Sequence, residues 1–209
     1  MNEQLSELFS KYYHKPPDSI GFVPEYVART EQLFDFCIKH NIKSIYDAGC
    51  GELNWMNPER LRSGNIRYAG GDISVHSVEY CHGHFPDLDI KHHDMTSDPI
   101  PTVDLVFSSD VVIHLENMDK IRFLRNFVNS NSRYLLVTND RGAIANESVD
   151  YASGFPWAPV NWALSPWNFP EEIDCMPDLG PQPDYPTRVM SLWSLSQVKE
   201  AIDNIKSLT

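Results

Sequence analysis

One arrangement recurs along this chain and constrains its fold more than anything else: an apolar, β-prone run closed by an aspartate. Residues 44–48 carry Asp47, residues 66–71 stop at Asp72, residues 88–92 lead to Asp94 and residues 103–108 lead to Asp110. Helical patterns lie between and after these runs. Residues 55–62 form a weak helix or turn, residues 74–83 follow Ser74 as an N-cap, and residues 118–128 place Ile121, Leu124, Phe127 and Val128 on one face. A fifth, very apolar run covers residues 133–138. Strands alternating with helices predict a mostly parallel sheet covered on both faces. Ligands of such sheets bind outside the carboxyl ends of the strands, so Asp47, Asp72, Asp94 and Asp110 are expected on one ligand-facing edge.

The remaining segments complete one expected domain over 1–209: N-terminal helices within 1–40, a core over 41–139, an insertion over 140–187, and a last strand and helix over 188–209. The N-terminal helices are read at 3–13 and 24–40, the last strand at 189–193 and the last helix at 196–205, capped by Ser194 or Ser196. The stretch 154–186 holds eight prolines together with Trp157, Trp162 and Trp167. Disordered tracts are poor in aromatics, so this reads as an ordered, irregular insertion after the fifth strand. The net charge of −12 argues against a phosphate backbone as partner. Cys37, Cys50, Cys81 and Cys175 are scattered with no C-x-x-C pair, which suggests neither a disulfide framework nor a structural zinc site. With no apolar stretch approaching the roughly 20 residues of a membrane span and no signal-peptide pattern at the start, the expectation is a cytoplasmic protein, monomer or homodimer, with no membrane partner.

The first aspartate opens a glycine turn, D-A-G-C-G, in which Gly49 and Gly51 flank Cys50. Strand, glycine turn and helix start form the local geometry of a nucleotide loop. A dinucleotide site would want a third glycine, and here Glu52 stands at the helix start, badly placed for a pyrophosphate. Asp72 lies about 20 residues beyond the loop, where an acid bonds ribose hydroxyls. Asp94 is suited to accept from an adenine amino group, with Met95 packed on the ring. Asp47 either holds the loop or reaches a ligand ammonium through water. Cys50 reads as small filler.

These residues carry a resemblance to the class I S-adenosylmethionine-dependent methyltransferases, a Rossmann-like family. Asp47 to Gly51 is similar to the family's D-x-G-x-G motif, Gly70 to Ser74 (G-G-D-I-S) to the ribose motif, Asp94-Met95 to the adenine motif, and Asp104 to Leu115 (D-L-V-F-S-S-D-V-V-I-H-L) to the fourth-strand segment beside the methionine moiety and the substrate. The resemblance runs over about residues 24–139. It implies S-adenosyl-L-methionine as cofactor, S-adenosyl-L-homocysteine as product, and donor contacts from Asp47, Gly49, Cys50, Gly51, Asp72, Ile73, Asp94, Met95, Ser109 and Asp110.

Methyl transfer is an in-line displacement, for which positioning does much of the work and a base is needed only for a protonated acceptor. Asp110 and His114 lie four residues apart just past the fourth strand, with His114 the candidate base and Asp110 its orienter or a donor ligand. A buried structural histidine is the competing reading of His114. The acceptor is expected to be a small polar molecule, methylated on oxygen or nitrogen. Arg141 is a candidate clamp for an anionic one, with Asn146 adding polar groups, Trp157 and Trp162 walling the cavity, and Tyr13 folding over the donor beside Tyr12. Residues 146–169 resemble a loop of small bacterial methyltransferases linked to surface-polysaccharide and secondary-metabolite pathways. The alternatives are a nucleic-acid or protein methyltransferase, or a non-catalytic donor-binding homologue. Against base methylation, an N/D-P-P-Y clamp is missing after the fourth strand, where Ser108-Ser109-Asp110-Val111 stands instead. His82, His84, His92 and His93 lack the carboxylate partner and spacing of a metal site.

Overall fold

The strands form where apolar runs can be buried on both sides, as parallel sheets require. β1 (Ser44–Ala48) and β4 (Leu105–Ser108) are buried at every position. β5 (Tyr134–Asp140) is buried at all positions but the first. The structure is a computed structural model that describes residues 3–12, 24–53, 56–153, 156–178 and 187–206.

With β2 (Arg67–Asp72), β3 (Asp89–His92), β6 (Asp174–Pro177) and β7 (Arg188–Ser194) these strands make one seven-stranded sheet of order β3-β2-β1-β4-β5-β7-β6. The pairs among β1 to β5 are parallel, while β7 runs antiparallel to both β5 and β6. Reversing β7 puts its first residue, Arg188, opposite Asp140 at the carboxyl edge of the parallel strands.

Period-two alternation divides the core between the two faces. Leu105, Phe107 and Leu136 pack with Phe34 and Cys37 of α2 (Pro24–Lys39), Leu61 of α3 (Pro58–Ser63) and Val78 of α4 (Val75–His84). Val106, Leu135 and Val137 pack on the opposite side with Phe123 and Phe127 of α5 (Asn117–Ser130) and Val198 and Ile202 of α6 (Leu195–Lys206). The expected caps form: Ser74 Oγ accepts from Ser77 N at 3.2 Å, and Ser194 Oγ accepts from Gln197 N at 3.3 Å. Among the described residues no helix is long and apolar enough to cross a membrane.

Two regions depart from simple alternation. The connection from β3 to β4, residues 93–104, contains no helix. The sheet face left open there carries Arg67, Asp89 and Lys91, all exposed, so charge replaces the apolar residues that a covering helix would bury. The described residues of the proline- and tryptophan-rich segment supply β6 as an edge strand and otherwise pack as irregular chain. Asn146 clasps it: the side-chain amide donates to Asn161 O (2.9 Å) and accepts from Asn161 N (2.8 Å). Trp162 is fully buried, donates Nε1–H to Thr138 O at 2.9 Å, and packs against Trp167 and Phe169 at ring separations of 5.2 and 5.1 Å.

The first helix, α1 (Glu3–Tyr12), buries Leu5 and Phe9. It is tied to the sheet's carboxyl edge by Ser6 Oγ, which donates to Ile73 O at 2.8 Å.

Candidate functional site

The loop after β1 turns back over β2 because Gly49 N and Cys50 N both donate to Gly71 O, at 2.8 and 3.2 Å. Gly49 has φ +89° and Gly51 φ +57°. The two glycines are needed for different reasons. A Cβ on Gly49 would sit 2.3 Å from Val111 Cγ2, whereas one on Gly51 would meet nothing within 4 Å. Gly49 therefore lets the loop after β1 close on the loop after β4, and Gly51 only supplies a left-handed turn. Gly51→Ala is expected to cost about 1–2 kcal/mol of stability and keep ligand binding, while Gly49→Ala must displace Val111 and lose it. Thermal melts and titration of both variants with a nucleoside ligand check the contrast.

A narrow cleft, partly open to solvent, lies over this loop. Leu5 and Phe9 of α1 roof it, and its walls include Gly49, Asp72, Ile73, Asp94, Met95, Thr96, Asp110 and Val111. The carboxyl edge of the sheet thus brings three of the four strand-end aspartates to one cavity. Asp47 sits just beneath, 1% exposed.

Each acid is held by the backbone or a neighbour. Asp72 accepts from Gly51 N through Oδ2 and from Ser74 N through Oδ1, both at 2.8 Å, so it joins the glycine loop to the start of α4. Burial raises its pKa, opposed by those two amide bonds. Asp94 Oδ1 accepts from Thr96 N (2.9 Å) and Thr96 Oγ1 (2.7 Å). Asp47 Oδ2 accepts from the Tyr68 hydroxyl at 2.7 Å, while Oδ1 is buried with no hydrogen-bond partner among the described residues. Burial pushes Asp47 up to about 7, against the lowering effects of the Tyr68 bond and the Arg29 charge. Cys50 is 1% exposed, its thiol held far above its ordinary value chiefly by burial, and its Sγ fills the space beside Gly70.

The Asp47 carboxylate is a cost to the empty protein and a benefit to a cationic ligand. A folded pKa raised above the unfolded value means that the native state binds the extra proton. Stability from this group therefore falls as pH rises from about 4 towards about 7. Asp47→Asn keeps an acceptor for Tyr68 and removes the charge. It is expected to raise the melting temperature of the ligand-free protein at pH 8 and to weaken binding of a cationic ligand. Melting curves with and without ligand measure both signs.

Past β4 the backbone turns at Asp110, whose φ is +60° and whose amide donates to Thr138 Oγ1 at 2.8 Å. A 3-10 turn, Val112–His114, follows. The insertion lies along it: Ala158 N donates to Ile113 O at 2.9 Å, and His114 Nδ1 is 2.8 Å from Pro156 O. A carbonyl only accepts, so Nδ1 carries the proton and Nε2 carries the lone pair of the neutral ring. Burial lowers the His114 pKa below its ordinary value, with the Pro156 bond opposing and the Lys120 charge assisting. The ring stands edge-on to Phe9 of the roof, 6.3 Å between centroids. Trp157, the residue after Pro156, is 47% exposed.

Ser109 is held differently from the sequence expectation of a donor contact: its Oγ accepts from Arg29 Nη2 of α2. Arg29 also bonds Asp178 Oδ1 (3.2 Å), Arg188 bonds Asp178 Oδ2 (2.8 Å), and Arg188 ion-pairs with Asp110. Burial, and then the charge of Arg29, lower the Arg188 guanidinium.

The other expected substrate residues fall elsewhere. Arg141 is exposed and paired with Glu172, outside the cleft lining. Asn146 and Trp162 brace the insertion as described above, because their polar groups are taken by its own backbone and by β5. Tyr13 lies outside the described residues. His82, His84, His92 and His93 each bond a different backbone carbonyl, those of Ile90, Tyr80, Ile73 and Pro99. The sequence reading missed Arg29, Arg188 and Asp178, which are brought together only by the reversal of β7. It also missed Leu5 and Phe9, whose helical spacing signalled burial but not against what.

The same arrangement of elements occurs in solved structures. The chain superposes on PH0226 protein from Pyrococcus horikoshii with a TM-score of 0.61 at 14% identity, over 88% of this chain and 98% of that one. It superposes on a TehB-like SAM-dependent methyltransferase from Corynebacterium glutamicum with a TM-score of 0.55 at 15% identity, over 91% and 98%. Against the S-adenosylmethionine-dependent methyltransferase SibL the TM-score is 0.54 at 15% identity, over 80% of this chain and 54% of that longer one. No protein-family model matches the chain, and no curated protein matches it in sequence. The chain has the Rossmann-like fold of the class I methyltransferases.

Proposed function

We propose that this protein is an S-adenosyl-L-methionine-dependent methyltransferase that methylates oxygen or nitrogen of a small polar acceptor. The observation that carries the reading is the cleft at the carboxyl edge, where Asp72 and Asp94 line one wall and the buried Asp47 below keeps an oxygen without a partner. Two carboxylates on the cleft wall and a third buried nearby suit a ligand that brings a ribose diol, an adenine amino group and an ammonium. They are a poor environment for a pyrophosphate.

In this reading Asp72 holds the ribose hydroxyls through lone pairs left by its two amide bonds. Asp94 faces the adenine amino group, with Ile73 and Met95 against the ring. Asp47 favours the ammonium, and Gly49 leaves room for the backbone to approach. When bound, S-adenosylmethionine supplies an electrophilic methyl group. The chain's own part is to hold the acceptor in line beside Asp110, to exclude water under α1, and to accept a proton at His114 Nε2 where the acceptor is protonated. In the same reading Trp157, exposed and next in the chain to the Pro156 that His114 bonds, serves as a wall for the acceptor.

Calorimetry with S-adenosylmethionine, followed by detection of S-adenosylhomocysteine with pooled hydroxy- and amino-acceptors, tests the reading. Donor binding with turnover is the expected result. Binding without turnover would favour a donor-binding homologue, and no binding would sink the proposal.

A further inference from the structure

A buried arginine and a largely buried one share one aspartate behind the Asp110 wall of the cleft. Arg29 and Arg188 each take one oxygen of Asp178, and the side chains of Arg29, Arg188 and Asp178 are 4%, 12% and 1% exposed. Buried charges persist only when paired, and Asp178 answers both guanidinium groups. Arg188 also pairs with Asp110. Asp110 differs from Asp178 in kind: its side chain is 38% exposed, it lines the cleft, and its backbone sits in the left-handed region at φ +60°. Thus Asp178 is enclosed, while Asp110 reaches the cleft with part of its side chain and meets Arg188 through an oxygen that is buried.

We propose that Arg188 is the specificity-determining residue for the acceptor: it pairs with a carboxylate on the acceptor in exchange for Asp110. The proposal rests on the methyltransferase reading and gives the acceptor a chemical class, a carboxylic acid. Three features make Arg188 the fitting group. It opens the antiparallel strand β7 opposite Asp140, so a rigid strand rather than a loop delivers it to the carboxyl edge. Its planar fork matches a carboxylate in two-point geometry, which a lysine would not. Arg141, the cation expected from sequence to do this, is spent on Glu172 in an exposed pair. The exchange leaves Arg188 neutralised throughout, so binding does not strand a buried charge.

The test titrates protein loaded with S-adenosylhomocysteine with acetate, and with acetamide as its neutral counterpart, at constant ionic strength. Asp110→Asn removes the internal competitor. It is expected to bind acetate about tenfold more tightly than the wild type, with no gain for acetamide. Arg188→Lys in the Asp110→Asn background is expected to abolish that gain while S-adenosylhomocysteine binding shows the protein folded. Equal acetate affinity in wild type and Asp110→Asn, or a gain that survives Arg188→Lys, would overturn the proposal. A second carboxylate source, the donor's own amino-acid end, is separated by comparing S-adenosylhomocysteine with 5′-methylthioadenosine, which lacks it. If Arg188→Lys weakens the first about tenfold and leaves the second unchanged, the guanidinium serves the donor and the proposal fails while the methyltransferase reading stands. If neither nucleoside binds the wild type, both fail.

Discussion

Asp72→Ala is expected to raise the dissociation constant for S-adenosylhomocysteine at least about 100-fold, the equivalent of losing one to two charge-assisted hydrogen bonds. Two effects contribute, and they can be separated. The first is local: Asp72 accepts from Gly51 N and Ser74 N, and the alanine leaves both amides without that partner. Each orphaned amide costs about 1–3 kcal/mol when water does not replace the carboxylate. The second is direct, through the ribose diol. Adenosine and 2′,3′-dideoxyadenosine distinguish them. If the carboxylate bonds the ribose, the wild type prefers adenosine strongly and Asp72→Ala loses the preference. If Asp72 only braces the loop, both nucleosides weaken together and the preference persists. A double-mutant cycle of this kind isolates the contact from the loop. Asp72→Asn does not rescue the loop, because its NH₂ group would face one of the two amide donors.

The strand-end aspartates were readable because chain chemistry and topology agree there. Central parallel strands are continuous apolar runs, and the first polar residue after each run marks the carboxyl edge. The order of the sheet, in which β4 returns to the far side of β1, was not legible in those runs, because right-handed crossovers fit other strand orders equally well. The same logic fails after β5. β6 is a four-residue edge strand, D-C-M-P, whose Pro177 reads as a breaker and is tolerated because an edge leaves one side unpaired. The direction of β7 is not encoded in its alternation, and with it the placement of Arg188 was hidden. Trp162 shows a different limit. A tryptophan in a proline-rich loop serves a cavity wall and a loop core equally well by composition, and its Nε1–H bond to Thr138 O decides for the core. Arg141 and Arg188 were likewise indistinguishable as residue types. What separates them is that one meets Glu172 at the surface and the other meets two aspartates beside the cleft.

His114→Asn is expected to lower kcat by roughly 10²–10⁴-fold with donor affinity unchanged, if the acceptor arrives protonated. Asparagine is the informative replacement. Its side-chain amide can still donate to Pro156 O, so the contact between the 3-10 turn and the insertion is kept while the basic nitrogen is lost. A structural histidine would tolerate asparagine and fail with alanine, which breaks the Pro156 bond. A general base fails with both. The pH profile adds an independent sign. Burial holds the His114 pKa below its ordinary 6.5, so the neutral, proton-accepting ring persists to lower pH than a free imidazole, and the acid limb of kcat should fall below 6.5. Linkage gives the matching stability term. The unfolded chain binds the proton more readily than the native one, so this group's stabilisation is full above 6.5 and is lost as pH falls towards the native pKa. The acid limb and this stability loss share one window and trace to one ring: in His114→Asn the limb disappears with the base, and the melting temperature loses the His114 contribution while keeping the opposite-signed one of Asp47. A limb that survives the substitution would move the base to Asp110, which lies on the cleft wall and is released from Arg188 when an acceptor carboxylate takes its place.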